Sequence, residues 1–180
     1  MSHSLPDELV KKAKDLCRMA HDRELSLATA ESCTGGLLSS LLTDLEGLSH
    51  VFERGFVVYS KSSKCELLGI ERRLVDDCGA VSREVAEAMV EGALDRSDAD
   101  VAIAITGFAG PPGDDGPGGD DKVEGLVHLA CQRRGGPLGH REEHFGAIGR
   151  DPVRIKAAGV ALDMMMAAID GQKDERDEND

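Results

Sequence analysis

Between about Asp7 and Ala20, the apolar residues Leu9, Val10, Ala13, Leu16, Cys17 and Ala20 recur three and four positions apart. That spacing lays them along one face of a helix. The period then changes. Leu25-Ser26-Leu27-Ala28 reads as a short strand over about 25–29, and Leu37-Leu38-Ser39-Ser40-Leu41-Leu42 as the apolar side of a helix from Leu37 to Asp44. Gly55-Phe56-Val57-Val58-Tyr59 is apolar enough without a break to predict a strand buried on both faces. Ser60 to Leu68 predicts a short helix closed by Gly69, and Ser82 caps a helix to about Asp95 with Val85, Met89 and Ala93 inward. Asp100 to Thr106 is the clearest strand in the chain.

Regular structure stops at Gly107. From there to Gly125, seven glycines and three prolines mix with aspartates, a composition that predicts a long loop. Leu126–Cys131 and His140–Phe145 read as a hairpin around Gly135-Gly136-Pro137. A last helix is predicted with Asp151 as N-cap, Pro152 at its first position and Gly171 at its end near Ile169. Strands separated by helices, with a hairpin last, predict a single three-layer α/β/α domain with a mixed, mostly parallel sheet over residues 1–171. The charged tail 172–180 is expected to be disordered.

Composition narrows the classes. A chain of 180 residues suits one core, and its 41% hydrophobic and 31% charged content is that of a soluble protein. The N-terminus lacks the basic and apolar regions of a signal peptide, and no apolar run is long enough to span a bilayer, so a cytoplasmic location without membrane contact is expected. Cys17, Cys33, Cys65, Cys78 and Cys131 are scattered without a C-x-x-C pair, which predicts neither a disulfide framework nor a zinc site. The net charge of −13 opposes phosphate backbones, so no nucleic-acid partner is expected. His140 and His144 share a strand face, but with no carboxylate at a fixed helical spacing they read as a polar edge strand rather than a metal pair.

The chemistry is concentrated at Ala28-Thr29-Ala30-Glu31-Ser32-Cys33-Thr34-Gly35-Gly36, where a strand turns through hydroxyl residues and glycines into a helix. Open α/β sheets place ligands at such strand ends. Ser32 needs a base, and none of the six histidines sits at an expected strand end. The alternative base is a lysine whose pKa burial lowers, and Lys64 follows Tyr59 past the end of the second strand, at the same sheet edge. On these residues alone, the default is structural: Lys64 as a solvated helix residue, Tyr59 as a half-buried strand end, and Gly35 and Gly36 as close packing of helix on strand. The N–H groups from Cys33 to Gly36 suit an oxyanion, a phosphate, or both. Cys33 is a second candidate nucleophile.

Four blocks carry a resemblance. Glu31-Ser32-Cys33-Thr34-Gly35-Gly36, then Phe52-Glu53-Arg54-Gly55-Phe56-Val57-Val58-Tyr59-Ser60 with Lys64, then Gly79-Ala80-Val81-Ser82, then Thr106-Gly107-Phe108-Ala109-Gly110-Pro111 resemble, in order and spacing, the CinA C-terminal domain family over roughly residues 8 to 168. The resemblance implies the stand-alone form of a nicotinamide mononucleotide deamidase, with no cofactor and no metal. It implies Ser32 as nucleophile, Lys64 as general base, Tyr59 assisting the lysine, and Thr106 at the reacting amide or oxyanion. Cys33, Thr34, Gly35, Gly36, Gly107 and Arg150 would then bind substrate, Arg150 at its phosphate, in a homo-oligomer (dimer or higher). Two departures stand out: Gly149 precedes Arg150 where the family has an aspartate, and the glycine-rich loop is longer and more acidic than is usual. A non-catalytic nucleotide-sensing module and a hydrolase of another small amide are the competing readings.

Overall fold

A computed structural model of the chain describes residues 5–111 and 123–171. Its elements alternate as the periodicities require: α1 (Asp7–Asp22), β1 (Leu27–Glu31), α2 (Leu37–Thr43), β2 (Phe52–Val57), α3 (Lys61–Leu68), α4 (Arg72–Cys78), α5 (Arg83–Asp95), β3 (Val101–Gly107), β4 (Leu126–Arg133), β5 (Leu138–His144) and α6 (Arg150–Asp170). The strands form one sheet in the order β2-β1-β3-β4-β5. β2, β1 and β3 run parallel, and the β4–β5 hairpin joins antiparallel, so the parallel half is the half that ends at Ser32 and Thr106.

The side-chain period of two divides the central strands between two helical layers. Leu27, Val101, Ile103, Ile105 and Leu129 face α1, α2 and α6, where Leu16, Leu38, Leu162 and Met165 complete a core. Ala28, Ala30, Ala102, Ala104 and Ala130 face the other way, against Val85, Met89 and Val90 of α5 and Leu68 of α3. A face of alanines lets α5 settle close to the sheet. Close approach recurs at Gly92, where a Cβ would lie 2.3 Å from the Leu68 carbonyl oxygen. The architecture is the three-layer α/β/α domain that the chain predicts, with a mixed sheet.

Several boundaries differ. β1 starts two residues later than expected and runs on to Glu31. β2 is an edge strand rather than a doubly buried one: it covers Phe52–Val57, its residues are half-buried or exposed, and Tyr59 lies beyond it. Strand order decides this, since only β1 lies beside it. α4 falls in a stretch for which no helix is expected; it is a single short helix with Val75 its buried residue. The cap of α6 is Gly149, at φ 92°, and no side chain caps the helix; Asp151 stands inside the first turn, where its carboxylate complements the helix dipole. The interior of the predicted glycine-rich loop, 112–122, and the tail 172–180 lie outside the described residues. Among the described residues no helix is long and apolar enough to cross a membrane.

Candidate active site

Three parallel strand ends meet at one edge of the sheet, as the pattern predicts. They bound a cleft of about 290 Å³ lined by Ser32, Tyr59, Lys64, Thr106, Gly107 and Arg150, among others. That volume lies at the small end of the range for small-molecule sites, ~300–1,000 Å³.

Ser60 opens α3 by accepting the Ser63 N–H, in a reciprocal capping box, and this sets the direction in which Lys64 leaves the helix. The lysine is 1% exposed. Its Nζ lies 2.8 Å from Ser32 Oγ and donates to the Val58 carbonyl at 2.8 Å. No carboxylate of the described residues pairs with it. Burial therefore dominates, and pulls the amine down from its ordinary 10.5 to about 8. At pH 7 about a tenth of such an amine is uncharged. A hydroxyl and an amine of this kind, in contact and shielded from water, have the geometry a nucleophile and its base require.

The turn that carries Ser32 is held by a residue to which the sequence reading assigns no role. Glu31 is fully buried. Its carboxylate accepts the N–H groups of Gly36, Leu38 and Ser39 at 3.2, 3.1 and 2.8 Å, and the Ser39 hydroxyl at 2.6 Å. It thus occupies the start of α2, the helix end first read as a place for an anion. A second negative charge is not favoured there. Gly35 donates to Ser32 O and Gly36 to Glu31, so neither N–H is left for substrate; both residues stand at positive φ, 62° and 97°, which explains why they are glycines. Cys33 is buried, and burial pushes its thiol up to about 12, which favours the protonated form over a thiolate.

The other expected residues divide. Thr106 is 1% exposed and its hydroxyl donates to the Ala80 carbonyl at 2.7 Å, so it fixes the 80–81 segment as a wall of the cleft. Tyr59 is 66% exposed at the rim, with no hydrogen bond to Lys64; the Val58 carbonyl orients the lysine instead. Gly107 has no space for a side chain, since a Cβ would lie 2.7 Å from the Leu126 carbonyl oxygen. Arg150, at the first position of α6, lies against Gly110, where a Cβ would come within 2.8 Å of its guanidinium; glycine there lets the arginine lie flat on the chain that borders the cleft.

Residues 9–169 match the family of the CinA C-terminal domain. The chain belongs to that family. A CinA-like protein of Akkermansia muciniphila is 49% identical over 121 residues, which are 67% of this chain and 28% of that protein. One of Chlorobium phaeobacteroides is 43% identical over 148 residues, 81% of this chain and 34% of that protein. The chain thus spans about a third of the length of these curated relatives. Among solved structures, the competence/damage inducible protein CihA from Agrobacterium tumefaciens superposes with a TM-score of 0.87 at 41% identity, over 93% of this chain and 99% of that one.

The CinA domain here has one more basic residue beside the site. Arg154 follows Arg150 by one turn of α6, and its Nε donates to the Cys33 carbonyl at 2.8 Å. The i, i+4 spacing of two arginines was the available signal for it. Glu31 and the Val58 and Ala80 carbonyls gave no such signal, because their partners come from other elements.

Proposed function

We propose that this chain is an amidohydrolase that converts nicotinamide mononucleotide and water to nicotinate mononucleotide and ammonia. One observation carries the reaction class: an uncompensated, buried lysine amine 2.8 Å from the hydroxyl of Ser32. The substrate rests on the motif resemblance and on Arg150 at the cleft, a cation suited to a phosphate.

The neutral amine keeps its donation to Val58 and turns its lone pair to the Ser32 hydroxyl. It takes the hydroxyl proton as Oγ attacks the amide carbon. The oxyanion intermediate then collapses, the C–N bond breaks, and the lysine ammonium returns the proton to the departing nitrogen. Water attacks the resulting ester with Lys64 again as base. The second collapse frees the carboxylate, and Ser32 regains its proton. One group thus makes all the proton transfers, which requires a pKa near the working pH.

The decisive experiment is ammonia release from nicotinamide mononucleotide, nicotinamide riboside and small primary amides. The native chain is expected to prefer the mononucleotide, keep its rate in the presence of a chelator, and lose it in Ser32→Ala with an unchanged circular dichroism spectrum. Full turnover in that variant would refute the serine mechanism. A preference for another amide would move the substrate and leave the mechanism in place.

A further inference from the structure

Resting on the deamidase reading, we infer that Tyr59 and Phe108 are the two walls of a ring-binding subsite: they flank Ser32 and hold a planar, positively charged aromatic amide by its faces.

Aromatic residues are scarce in this chain, four phenylalanines and one tyrosine without tryptophan, and their placement is uneven. Phe52 and Phe145 pack against the core on one side of the sheet, and Phe56 against the core on the other. Tyr59 and Phe108 join neither core, yet both line the cleft. Tyr59 is among the few large apolar side chains left exposed in the described residues. Its hydroxyl makes no hydrogen bond with them. Neither packing nor hydrogen bonding there accounts for the ring. An aromatic surface kept open in a concave site is one that a ligand can cover.

Strand order sets the pair on opposite sides of the nucleophile. β1 has β2 on one side and β3 on the other. Ser32 is the first residue past β1, Phe108 the first past β3, and Tyr59 the second past β2. Neighbouring strands lie about 4.8 Å apart, so β2 and β3 stand about 10 Å from each other. Carbon atoms in contact sit about 3.5–4.0 Å apart, so one flat ring touched on both faces fits that interval. Phe108 stands on a braced backbone, its N–H donating to Leu126 O and its carbonyl accepting the Gly125 N–H. A ring held between these columns carries its carboxamide over the end of β1, where Ser32 Oγ and Lys64 Nζ meet. A pyridinium charge adds attraction to the face of the tyrosine. An aliphatic amide offers neither the flat face nor that charge.

With no tryptophan and one tyrosine, the chain's intrinsic emission reports on Tyr59, so a fluorescence titration tests the contact directly. The titration uses Ser32→Ala, which binds without turnover. Nicotinamide mononucleotide is expected to quench the emission saturably, after correction for its own absorbance against N-acetyltyrosinamide. Ribose 5-phosphate, which carries the phosphate without the ring, should leave it unchanged. In ammonia release, Tyr59→Leu and Phe108→Leu are each expected to raise KM for the mononucleotide at least about tenfold, and Tyr59→Phe, which keeps the ring and loses the hydroxyl, by less than about twofold. The titration needs neither wall replaced, so it decides the matter should the leucine variants not fold. Emission unchanged at mononucleotide concentrations well above the native KM would overturn the inference and leave the Ser32 mechanism and its substrate standing. So would a KM in Tyr59→Phe as high as in Tyr59→Leu. A native chain that releases no ammonia from the mononucleotide would bring down the deamidase reading and this inference with it.

Discussion

At the scale of single residues, the site turns on the desolvation of one amine. Lys64 is useful because it is buried without a counter-ion, and the same burial makes it costly to the fold. Only its neutral form accepts the Ser32 proton, so kcat/KM is expected to rise with pH through a single ionisation near 8 and then level off; a pH–rate profile checks this. Stability moves in the same direction, over a different window. The folded amine releases its proton at about 8 and the unfolded one at 10.5, so the unfolded chain binds more protons between these values and stability rises with pH across that window. Lys64→Met should therefore be inactive, yet melt at a higher temperature than the native chain below pH 8, with the gap closing as pH approaches 10.5. Arg150 differs in kind, because in the proposed reaction it would touch a part of the substrate that does not react. Arg150→Ala is expected to raise KM for the mononucleotide at least about tenfold and change kcat little, measured by steady-state ammonia release.

At the scale of elements, the strand–turn–helix unit β1–α2 is legible in the sequence as a pattern but not as a mechanism. The switch of hydrophobic period and the pair of glycines locate it. The reading of its helix end as an anion site fails because a carboxylate from its own strand, Glu31, already occupies that end. Strand β1 is shifted two residues along the chain from its expected place, so it ends at Glu31 and the carboxylate stands at the strand end where α2 begins. Glu31→Gln keeps the shape and places an amide among donors, so it is expected to cost about 2 kcal/mol, read from the midpoint of urea unfolding. β2 shows the converse case, in which apolar composition mimics a central strand and only pairing order reveals an edge. Short α4 has too few apolar positions for periodicity to show it.

At the scale of the whole molecule, two helical layers seal the sheet and sort the thiols. Cys17, Cys33 and Cys131 are buried, Cys65 is intermediate and Cys78 exposed at the end of α4. Burial pushes the first three up to about 11, 12 and 12. A chromogenic disulfide reagent should therefore titrate Cys78 quickly and Cys65 slowly in the native state, and all five cysteines only in denaturant; fast reaction of a third thiol would show that the layers open. The sequence by itself determined the alternation of elements and the sheet edge at which they deliver Ser32, Lys64 and Thr106, because these follow from local periodicity and chain order; Arg150 came from the motif resemblance alone. The tertiary structure alone decided that the lysine is buried without a carboxylate partner among the described residues, that Glu31 holds the turn, that Tyr59 stands aside and that Arg154 reaches Cys33. Each of those depends on desolvation or on a hydrogen bond between elements, and neither has a signature in the linear pattern.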